Sequence, residues 1–479
     1  MSEPRSFYWH DYETWGAQPA IDRPAQFAGL RTDLDFNPIG EPLVLYARPA
    51  DDFLPQPEAC LITGITPQLA REKGALEADF FRFIHAELAQ PGTCALGYNS
   101  LRFDDEVTRY GLYRNFFDPY AREWQNGNSR WDMIDVVRLT RALRPAGINW
   151  PEKEPGITSF RLEDLTAAND IEHAGAHDAL ADVRATIAVA RLIRARQRRL
   201  FEFVFDNRDK RKLAAQLNTR DGQPVLHVSA RYPARLGCIA SVVPLAIHPS
   251  NRNGVIVYDL RVDPTPLLTL SVEAIRARLY TASVDLPEGV ERIPLKVVHI
   301  NRAPVIVPMG TITAEAREQW RLDAQAEARH LEALRQAPDL AQKLALVFDN
   351  RDQFAPQRDP DRDLYGGFLS DDDRRRCEQI RHCAPAELAG RQFAFDAPKL
   401  HELLFRYRAR NWPDSLSASE RQRWEAFRRE RLTTPGAGGS IVLDDYRRQL
   451  SRLAVDSRLT GAQRGVLDAL LDWPAELGL

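Results

Sequence analysis

Two acidic side chains close the first apolar run of the sequence, in the stretch SFYWHDYETWG. Asp11 ends the run and Glu13 follows it, with one residue between them. In a β-strand, residues i and i+2 point to the same side, so both carboxylates would lie together at the end of the strand. Carboxylates held this close repel each other unless a positive charge lies between them. The spacing therefore raises the question of whether a cation binds here, but an Asp-x-Glu pair is a common pattern and does not by itself indicate such a site.

Two later stretches add acidic and histidine side chains to this pair. Asp104 lies in GYNSLRFDDE, after a predicted buried strand and a turn, at the point where a helix begins. His177 and Asp182 lie in HAGAHDALADVRAT, at the start of a long predicted helix. Taken singly, these residues have simpler explanations, because an aspartate at a helix start is usually a cap. Asp104, Asp105 and Asp178 fit that explanation, and His177 fits a capping or exposed histidine.

The elements that must position these residues alternate between strand and helix over the first part of the chain. A strand ends near Asp11, two further strands are predicted at PAQFAGLRTDLD and EPLVLYARP, joined by a turn around Asn37 and Pro38, and TCALGYN is predicted to be a short buried strand. Helical periodicity predicts helices at LEADFFRFIHAEL, FDDEVTRYGLYRNFF, FRLEDLTAAND and DALADVRATIAVARLIRARQRRLFEFVF. This order predicts a mixed sheet flanked by helices.

The rest of the chain has a different pattern. Short β runs cut by Gly, Pro and Asn, from PVLHVSA to PVIVP, predict a small antiparallel barrel or sandwich. Helical patterns then continue to the end of the sequence. The polar stretch 352–368, which contains Pro and Gly, is predicted to be a linker or loop.

Composition restricts the class of protein. The 479 residues are 44% hydrophobic, enough for packed cores, and no apolar run approaches the roughly 20 residues of a membrane-spanning helix. The formal net charge of −3 argues neither for nor against a nucleic-acid partner, because a binding groove needs local charge. The five cysteines are scattered and no signal segment opens the chain, so we expect reduced thiols and a cytoplasmic protein without membrane contact.

Taken in order, the three acidic stretches resemble a known set of motifs. An Asp-x-Glu ends the first strand, an Asn-x-x-x-Phe-Asp follows, and a His-x-x-x-x-Asp then opens a helix. This order resembles motifs I, II and III of the DEDD exonuclease superfamily, in its histidine-containing branch, over roughly residues 6–195. The segment LITGITP at 61–67 is similar to a Thr-Gly-Ile-Thr segment of that branch.

The resemblance implies metal-dependent chemistry. Mg²⁺ prefers oxygen ligands, and two such ions about 3.5–4 Å apart can activate a water and stabilise the leaving oxygen in phosphodiester cleavage. Two Mg²⁺ ions are therefore expected, with Mn²⁺ as a substitute. His177 is implied as the general base, since an imidazole pKa near ~6.5 suits taking a proton from water at neutral pH. The implied metal ligands are Asp11, Glu13, Asp104 and Asp182.

Further stretches narrow the resemblance to the bacterial exonuclease I family, and they include PAIDRPAQFAGLRTD, NSRWDMIDVVR, HPSNRNGVIVYDL and YRARNWP. Members of that family degrade single-stranded DNA from the 3′ end. The resemblance implies a ribonuclease H-like α/β exonuclease domain over 1–197, an SH3-like β-barrel domain over 198–352 and a C-terminal helical domain over 353–479. It also implies processive release of 5′-mononucleotides and a role in DNA repair and recombination.

Aromatic side chains that stack on bases and basic groups that reach phosphates would hold such a strand. Tyr120 and Trp124 have polar neighbours, and their residue types leave core packing and base stacking equally open; the resemblance favours stacking. Phe116, Phe117 and Trp131 fit the core instead. Arg109, Arg138 and Arg161 are expected to reach the DNA backbone, and Glu13 is expected to lie near the 3′-terminal nucleotide. The resemblance also implies DNA contacts of Asn253 and Lys296.

The resemblance also implies a protein partner. Arg144 matches a basic position that the family uses to bind the acidic C-terminal tail of single-stranded DNA-binding protein, and we expect a monomer. RNA degradation or proofreading would use the same chemistry, and a reader of the 2′-hydroxyl would prefer RNA. A non-catalytic DNA-binding protein or adaptor is the other alternative, but a pure binder has no use for four converging carboxylates beside a negative ligand.

Overall fold

The structure is a computed structural model that describes residues 4–175, 177–349 and 357–479. The predicted linker at 352–368 therefore lies partly outside the described residues. The strands are β1 Ser6–Thr14, β2 Pro24–Thr32, β3 Leu43–Tyr46, β4 Thr93–Gly97, β5 Ser129–Asp132, β6 Glu152–Glu154, β7 Ile157–Thr158, β8 Val225–Val228, β9 Ile239–His248, β10 Asn251–Asp259, β11 Leu295–His299 and β12 Ile306–Pro308.

The α-helices are α1 Pro57–Thr63, α2 Pro67–Lys73, α3 Glu77–Leu88, α4 Asp104–Arg114, α5 Met133–Leu143, α6 Leu162–Ala168, α7 Ala179–Arg196, α8 Arg198–Asp206, α9 Lys210–Gln216, α10 Thr265–Thr269, α11 Val272–Tyr280, α12 Ala314–Gln319, α13 Ala324–Gln336, α14 Leu340–Val347, α15 Asp371–His382, α16 Pro385–Gly390, α17 Lys399–Asn411, α18 Ala418–Thr433, α19 Leu443–Ala454 and α20 Gly461–Glu476. Among the described residues, none of these helices combines the length and hydrophobicity that crossing a bilayer requires.

The chain folds into two compact units. The terminal unit contains Ser2–Arg130, His173–Arg184 and Pro356–Leu479, and the central unit contains Trp131–Glu172 and Ala185–Ala355. The terminal unit thus joins most of the predicted first domain to the C-terminal helices. All four acidic residues of the implied metal site, and His177, belong to this unit.

A mixed sheet of order β3-β2-β1-β4-β5 forms the base of the terminal unit, to which β5 contributes Ser129 and Arg130. The middle strand β1 runs antiparallel to β2 and parallel to β4. Its side chains alternate between the two faces, and Tyr12 lies opposite Phe27 on the face that packs into the core, with 4.8 Å between the ring centroids. The predicted mixed sheet is therefore confirmed.

Helices α3 and α4 cover that face of the sheet. Phe80 and Phe81 of α3 lie in the same buried cluster as Tyr12 and Phe27. Gly111 of α4 permits a close approach, because a Cβ at this position would lie 1.8 Å from the Phe81 ring. The absence of a side chain at Gly111 therefore brings α4 close to α3, and the first residue of α4 is one of the implied metal ligands.

The C-terminal helices pack on residues from the beginning of the chain. Trp15 and Phe53 share a buried cluster with Tyr446 of α19 and Trp473 of α20. A buried ion-pair network accompanies this core: Arg410 of α17 binds the carboxylates of Asp52 and Asp361 at 2.8 and 2.6 Å. The two ends of the chain therefore form one folded body.

The central unit contains a five-stranded antiparallel sheet of order β11-β10-β9-β8-β12. The predicted short β runs of this region form these strands. The long predicted helix of this region is in fact interrupted, because α7 ends at Arg196 and α8 begins at Arg198. Gln197 lies between them with a non-helical φ of −133°, and its side chain donates to the carbonyl of Ala146 at 2.9 Å.

Candidate active site

The end of β1 presents Asp11 and Glu13 on one face of the sheet, as their spacing predicts. Asp11 lies opposite Ala28 of β2, and Glu13 lies opposite Gln26. Residues directly opposite each other on antiparallel strands share a face, so Gln26 stands beside the acidic pair. Tyr12, between the two acids, is buried on the core face.

Asp104, the first residue of α4, is bound to the backbone of β1. The N–H of Tyr12 donates to Asp104 Oδ1 at 3.0 Å, and the Tyr12 hydroxyl lies 3.0 Å from Oγ1 of Thr108, one turn further along α4. The register of β4 with β1 reaches Trp9, so at Tyr12 a carboxylate accepts the N–H in place of a strand carbonyl. Asp104 is buried and faces β1, so its role is not that of a helix cap.

Asp105, the next residue, forms buried ion pairs with two arginines and is not one of the implied metal ligands. Its carboxylate binds Arg122 at 2.5 Å and Arg130 at 2.7 Å. Burial opposes the ionisation of Asp105, but these two guanidinium groups outweigh it and hold its pKa well below the usual range. Burial also lowers the pKa of His10 to about 4, so this neighbouring imidazole is neutral at physiological pH.

The start of α7 is fixed by a cap and by a glutamine from the sheet. Oδ1 of Asp178 accepts the N–H groups of Leu180 and Ala181, both at 3.2 Å, as the cap explanation predicts for this residue. Oδ2 of Asp178 accepts a bond from Gln26 Nε2 at 3.1 Å. The N–H of Ala179 in turn donates to Gln26 Oε1 at 3.1 Å.

His177 precedes this helix and Asp182 lies in its first turn. Ligand atoms of Glu13, His177 and Asp182 lie within 4.8 Å of one another. His177 is exposed and has a φ of 70°, in the left-handed region that non-glycine residues seldom adopt. The structure thus brings the first and third predicted stretches together, and Asp104 joins them through β1.

Two residues near these groups were not predicted. His173 Nε2 lies 2.5 Å from Oδ1 of Asp182, and Gln26 connects β2 to α7. A histidine in an irregular loop and a glutamine inside a strand have no periodicity that marks them. The signal for Gln26 is its register opposite Glu13, which requires the strand pairing to be known.

The electrostatics of the site suit a divalent cation. Burial first, and then the charges of Asp182 and Asp104, raises the pKa of Glu13 to about 9. Burial and then the charges of Asp104 and Glu13 raise the pKa of Asp11 well above its usual value. These carboxylates therefore repel one another, and a set of carboxylate oxygens is the donor set that hard divalent ions prefer. The residues present fit such an ion.

The predicted DNA contacts of the terminal unit differ in accessibility. Trp124 is 65% exposed. Tyr120 is half-buried, and the guanidinium of Arg109 lies 5.4 Å from its ring centroid. The placement of Arg109 argues against the predicted phosphate contact, because its buried guanidinium already binds Glu123 at 2.7 Å and Glu106 at 2.8 Å.

In the central unit, two of the predicted basic contacts are engaged within the protein. Arg138 is buried and binds Asp135 at 2.5 Å. The Lys296 ammonium is buried 4.6 Å from the ring centroid of Tyr232. Both placements argue against a phosphate contact, because the two cationic groups are buried. Arg161, by contrast, has a side chain that is 76% exposed.

The other two predicted contacts of this unit lie at element ends. Asn253 is half-buried in β10, and its N–H donates to Asn251 Oδ1 at 3.0 Å. Arg144 follows α5, and its guanidinium donates to the carbonyl of Leu143 at 2.6 Å. The core assignments for two aromatic residues are correct, because Phe116 and Trp131 are buried; Phe117 is half-buried beside His85 and Arg381.

Three family models match the chain in succession. A model described as exonuclease matches residues 8–190, the exonuclease I SH3-like domain matches residues 208–350, and the exonuclease I C-terminal domain matches residues 358–477. The chain is 50% identical over 428 residues to exodeoxyribonuclease I of Escherichia coli K12, covering 89% of this chain and 90% of that protein. The enzyme of Haemophilus influenzae is 46% identical over 433 residues, 90% of this chain and 92% of that protein.

Solved structures agree with these matches. The moderately thermophilic exonuclease I of Methylocaldum szegediense is 54% identical and superposes with a TM-score of 0.94 over 98% of this chain and 99% of that chain. Escherichia coli exonuclease I in complex with a dA16 oligonucleotide is 47% identical, with a TM-score of 0.95 and the same coverage. Its zinc-bound form in complex with single-stranded DNA is 46% identical, with a TM-score of 0.94 over 100% of both chains. With the expected resemblance confirmed over nearly its whole length, the chain belongs to the exodeoxyribonuclease I family of phosphodiester hydrolases.

Proposed function

We propose that this protein is a Mg²⁺-dependent 3′→5′ exonuclease that degrades single-stranded DNA and releases 5′-mononucleotides. The observation that carries the proposal is the cluster of Glu13, His177 and Asp182, whose ligand atoms lie within 4.8 Å of one another. Membership of the family and the oligonucleotide complexes of the Escherichia coli relative support the substrate class. Processive digestion and a role in DNA repair and recombination belong to the same proposal.

Each residue of the site has a part in this chemistry. Asp11, Glu13, Asp104 and Asp182 would hold two divalent ions, Mg²⁺ in the cell and Mn²⁺ as a substitute. Such ions, when bound, polarise the scissile phosphate and lower the pKa of an attacking water. His177, exposed at the edge of the cluster, takes the proton from that water. Glu13 also orients the 3′-terminal nucleotide.

Four side chains supply the remaining DNA contacts of the proposal. Trp124 stacks on a base, Tyr120 supports it, and Arg161 and Asn253 reach the DNA backbone. The exposure of Trp124 and Arg161 supports their assignment. Arg144 binds the acidic tail of single-stranded DNA-binding protein, and the enzyme acts as a cytoplasmic monomer.

Product analysis on a single strand labelled at either end tests the proposal. We expect 5′-mononucleotides, removed from the 3′ end in the presence of Mg²⁺, and slower digestion of a matched RNA. The variant Asp182→Asn should abolish digestion, because it removes a charged ligand, while Asp414→Asn, at an exposed position of the same unit, should keep wild-type activity. Full activity of Asp182→Asn, or strand binding with Mg²⁺ and no product from the wild type, would contradict the assignment.

A further inference from the structure

Gln26 occupies a position between the acidic strand and the helix that carries the other half of the site. It lies on β2, directly opposite Glu13, and is only 2% exposed. A buried amide needs partners for both its oxygen and its nitrogen, since each unpaired group costs about 1–3 kcal/mol. Gln26 finds a partner for each of them at the start of α7, in the cap residue Asp178 and the first helical residue Ala179.

The two bonds of the Gln26 amide are made to adjacent residues. Its Oε1 accepts the N–H of Ala179 at 3.1 Å, and its Nε2 donates to Oδ2 of Asp178 at 3.1 Å. The other oxygen of Asp178 caps the helix through Leu180 and Ala181. One side chain of the sheet thus binds both the cap of α7 and the first N–H of the helix.

Those bonds bear on the geometry of the cluster. Asp182 follows Asp178 by one helical turn, and His177 precedes it directly, with a φ of 70°. A backbone in this region is costly and persists where surrounding contacts hold it. The bonds to Gln26 hold the chain on the helical side of His177. They also fix α7 against the strand position that faces Glu13.

We propose that Gln26 is a positioning residue, which sets the distance from Glu13 to His177 and Asp182 by pinning the start of α7 to β2. This inference rests on the proposed function for its catalytic consequence. Gln26 acts through Asp178 and Ala179, the two residues that its amide group binds. The role depends on one side chain donating and the other accepting between positions 26 and 178. Exchanging the donor and the acceptor between these two positions should therefore preserve it.

A pair of reciprocal substitutions tests this. Gln26→Glu places a carboxylate against that of Asp178, and Asp178→Asn leaves two amide groups facing each other. The double variant Gln26→Glu/Asp178→Asn restores the bond with donor and acceptor exchanged, and its Asn still caps the helix. We expect each single variant to lower kcat on the order of tenfold to a hundredfold with little change in KM, and the double variant to recover most of the loss.

Two further measurements distinguish a positioning role of Gln26 from a general loss of stability, and they do not depend on DNA cleavage. Amide hydrogen exchange at Ala179 should become faster in each single variant and slow again in the double variant, whether or not DNA is cut. Mn²⁺ affinity, measured by calorimetry, should follow the same order. Gln68→Glu is the matched control: it places a carboxylate against Glu476 elsewhere in the terminal unit, and should change stability without changing kcat.

The outcomes are distinguishable. If the wild-type protein degrades no DNA, the proposed function is refuted. The rate of amide hydrogen exchange at Ala179 in the variants still tests whether Gln26 holds the start of α7. The positioning role of Gln26 is refuted if the single variants have wild-type kcat and wild-type amide exchange at Ala179. It is also refuted if the kcat of the double variant is no higher than that of the less active single variant. A Gln68→Glu variant that loses as much kcat as Gln26→Glu would assign the effect to general stability.

Discussion

Glu13 holds its proton far more tightly than an ordinary glutamate. Burial, followed by the charges of Asp182 and Asp104, raises its pKa from 4.5 to about 9, and Asp11 shifts in the same direction. The two carboxyl groups of β1 therefore titrate as one coupled system. Because a carboxylate must be deprotonated to bind a metal, protons and cations compete for the same oxygens.

Mg²⁺ binding is therefore expected to release protons and to weaken as the pH falls from 8 to 6. Between pH 4.5 and about 9, the folded metal-free protein binds a proton at Glu13 that the unfolded chain does not, so this group lowers stability as the pH rises. Mg²⁺ should consequently raise the melting temperature more at pH 8 than at pH 6. At a Mg²⁺ concentration of 100 times Kd, binding increases the free energy of unfolding by about 2.7 kcal/mol.

Calorimetry in buffers of different ionisation enthalpy measures this proton release directly. The Glu13→Gln variant is the control, since it should release fewer protons than the wild type. Binding enthalpies that do not depend on the buffer would show that the acids are already ionised in the metal-free protein.

How much of the site the sequence reveals depends on the range of each contact. The pair Asp11 and Glu13 follows from two-residue periodicity within one strand, and the buried position of Tyr12 follows from the same rule. Gln26 and its partner Asp178 are 152 positions apart, and no local pattern joins them. For Arg109, the residue type suggests a phosphate contact, but in the structure its guanidinium is paired with Glu106 and Glu123.

The short 3₁₀ helix Ala121–Glu123 shows how an element can present one side chain to solvent. Both of its charged residues point inward, where Arg122 binds Asp105 at 2.5 Å and Glu123 binds Arg109 at 2.7 Å. Trp124 directly follows and is left 65% exposed. The buried ion pairs of Arg122 and Glu123 fix the backbone that leads to Trp124, so the indole is presented to solvent from a well-anchored turn.

Substitution of Trp124 by Ala is expected to weaken single-strand binding by about 1–3 kcal/mol, the range for one stacked base. Trp124→Phe should retain most of the affinity, because it keeps an aromatic face. Fluorescence anisotropy with a labelled oligonucleotide in EDTA measures binding without digestion. If the Ala variant binds as tightly as the wild type, Trp124 is not a stacking residue.

Over the whole molecule, the terminal unit depends on contacts between the two ends of the sequence. Arg410 binds Asp52 and Asp361, and the side chains of all three are at most 3% exposed. The sequence predicts the succession of α/β, β and helical regions from local patterns. It does not predict that the first and last of these share a core, because Arg410 and Asp52 are 358 positions apart.

The Arg410→Met variant should destabilise the terminal unit by about 3–5 kcal/mol, because it leaves buried carboxylates without their main counter-charge. Arg82→Met, which removes an exposed ion pair with Asp79, is the control and should cost no more than about 1 kcal/mol. Urea unfolding followed by tryptophan fluorescence compares the two. Equal midpoints would mean that the buried network adds no net stability.

The shared core of Trp15 and Phe53 with Tyr446 and Trp473 has a consequence for protein synthesis. A ribosome that adds about 5–20 residues per second needs on the order of 20–80 s to travel from the first group to the second. Throughout that interval, the part of the apolar surface around Trp15 and Phe53 that α19 and α20 cover in the folded protein stays exposed to solvent and to chaperones. The strand that carries Asp11 and Glu13 ends directly beside this surface, so the terminal unit is completed only after α20 has been synthesised.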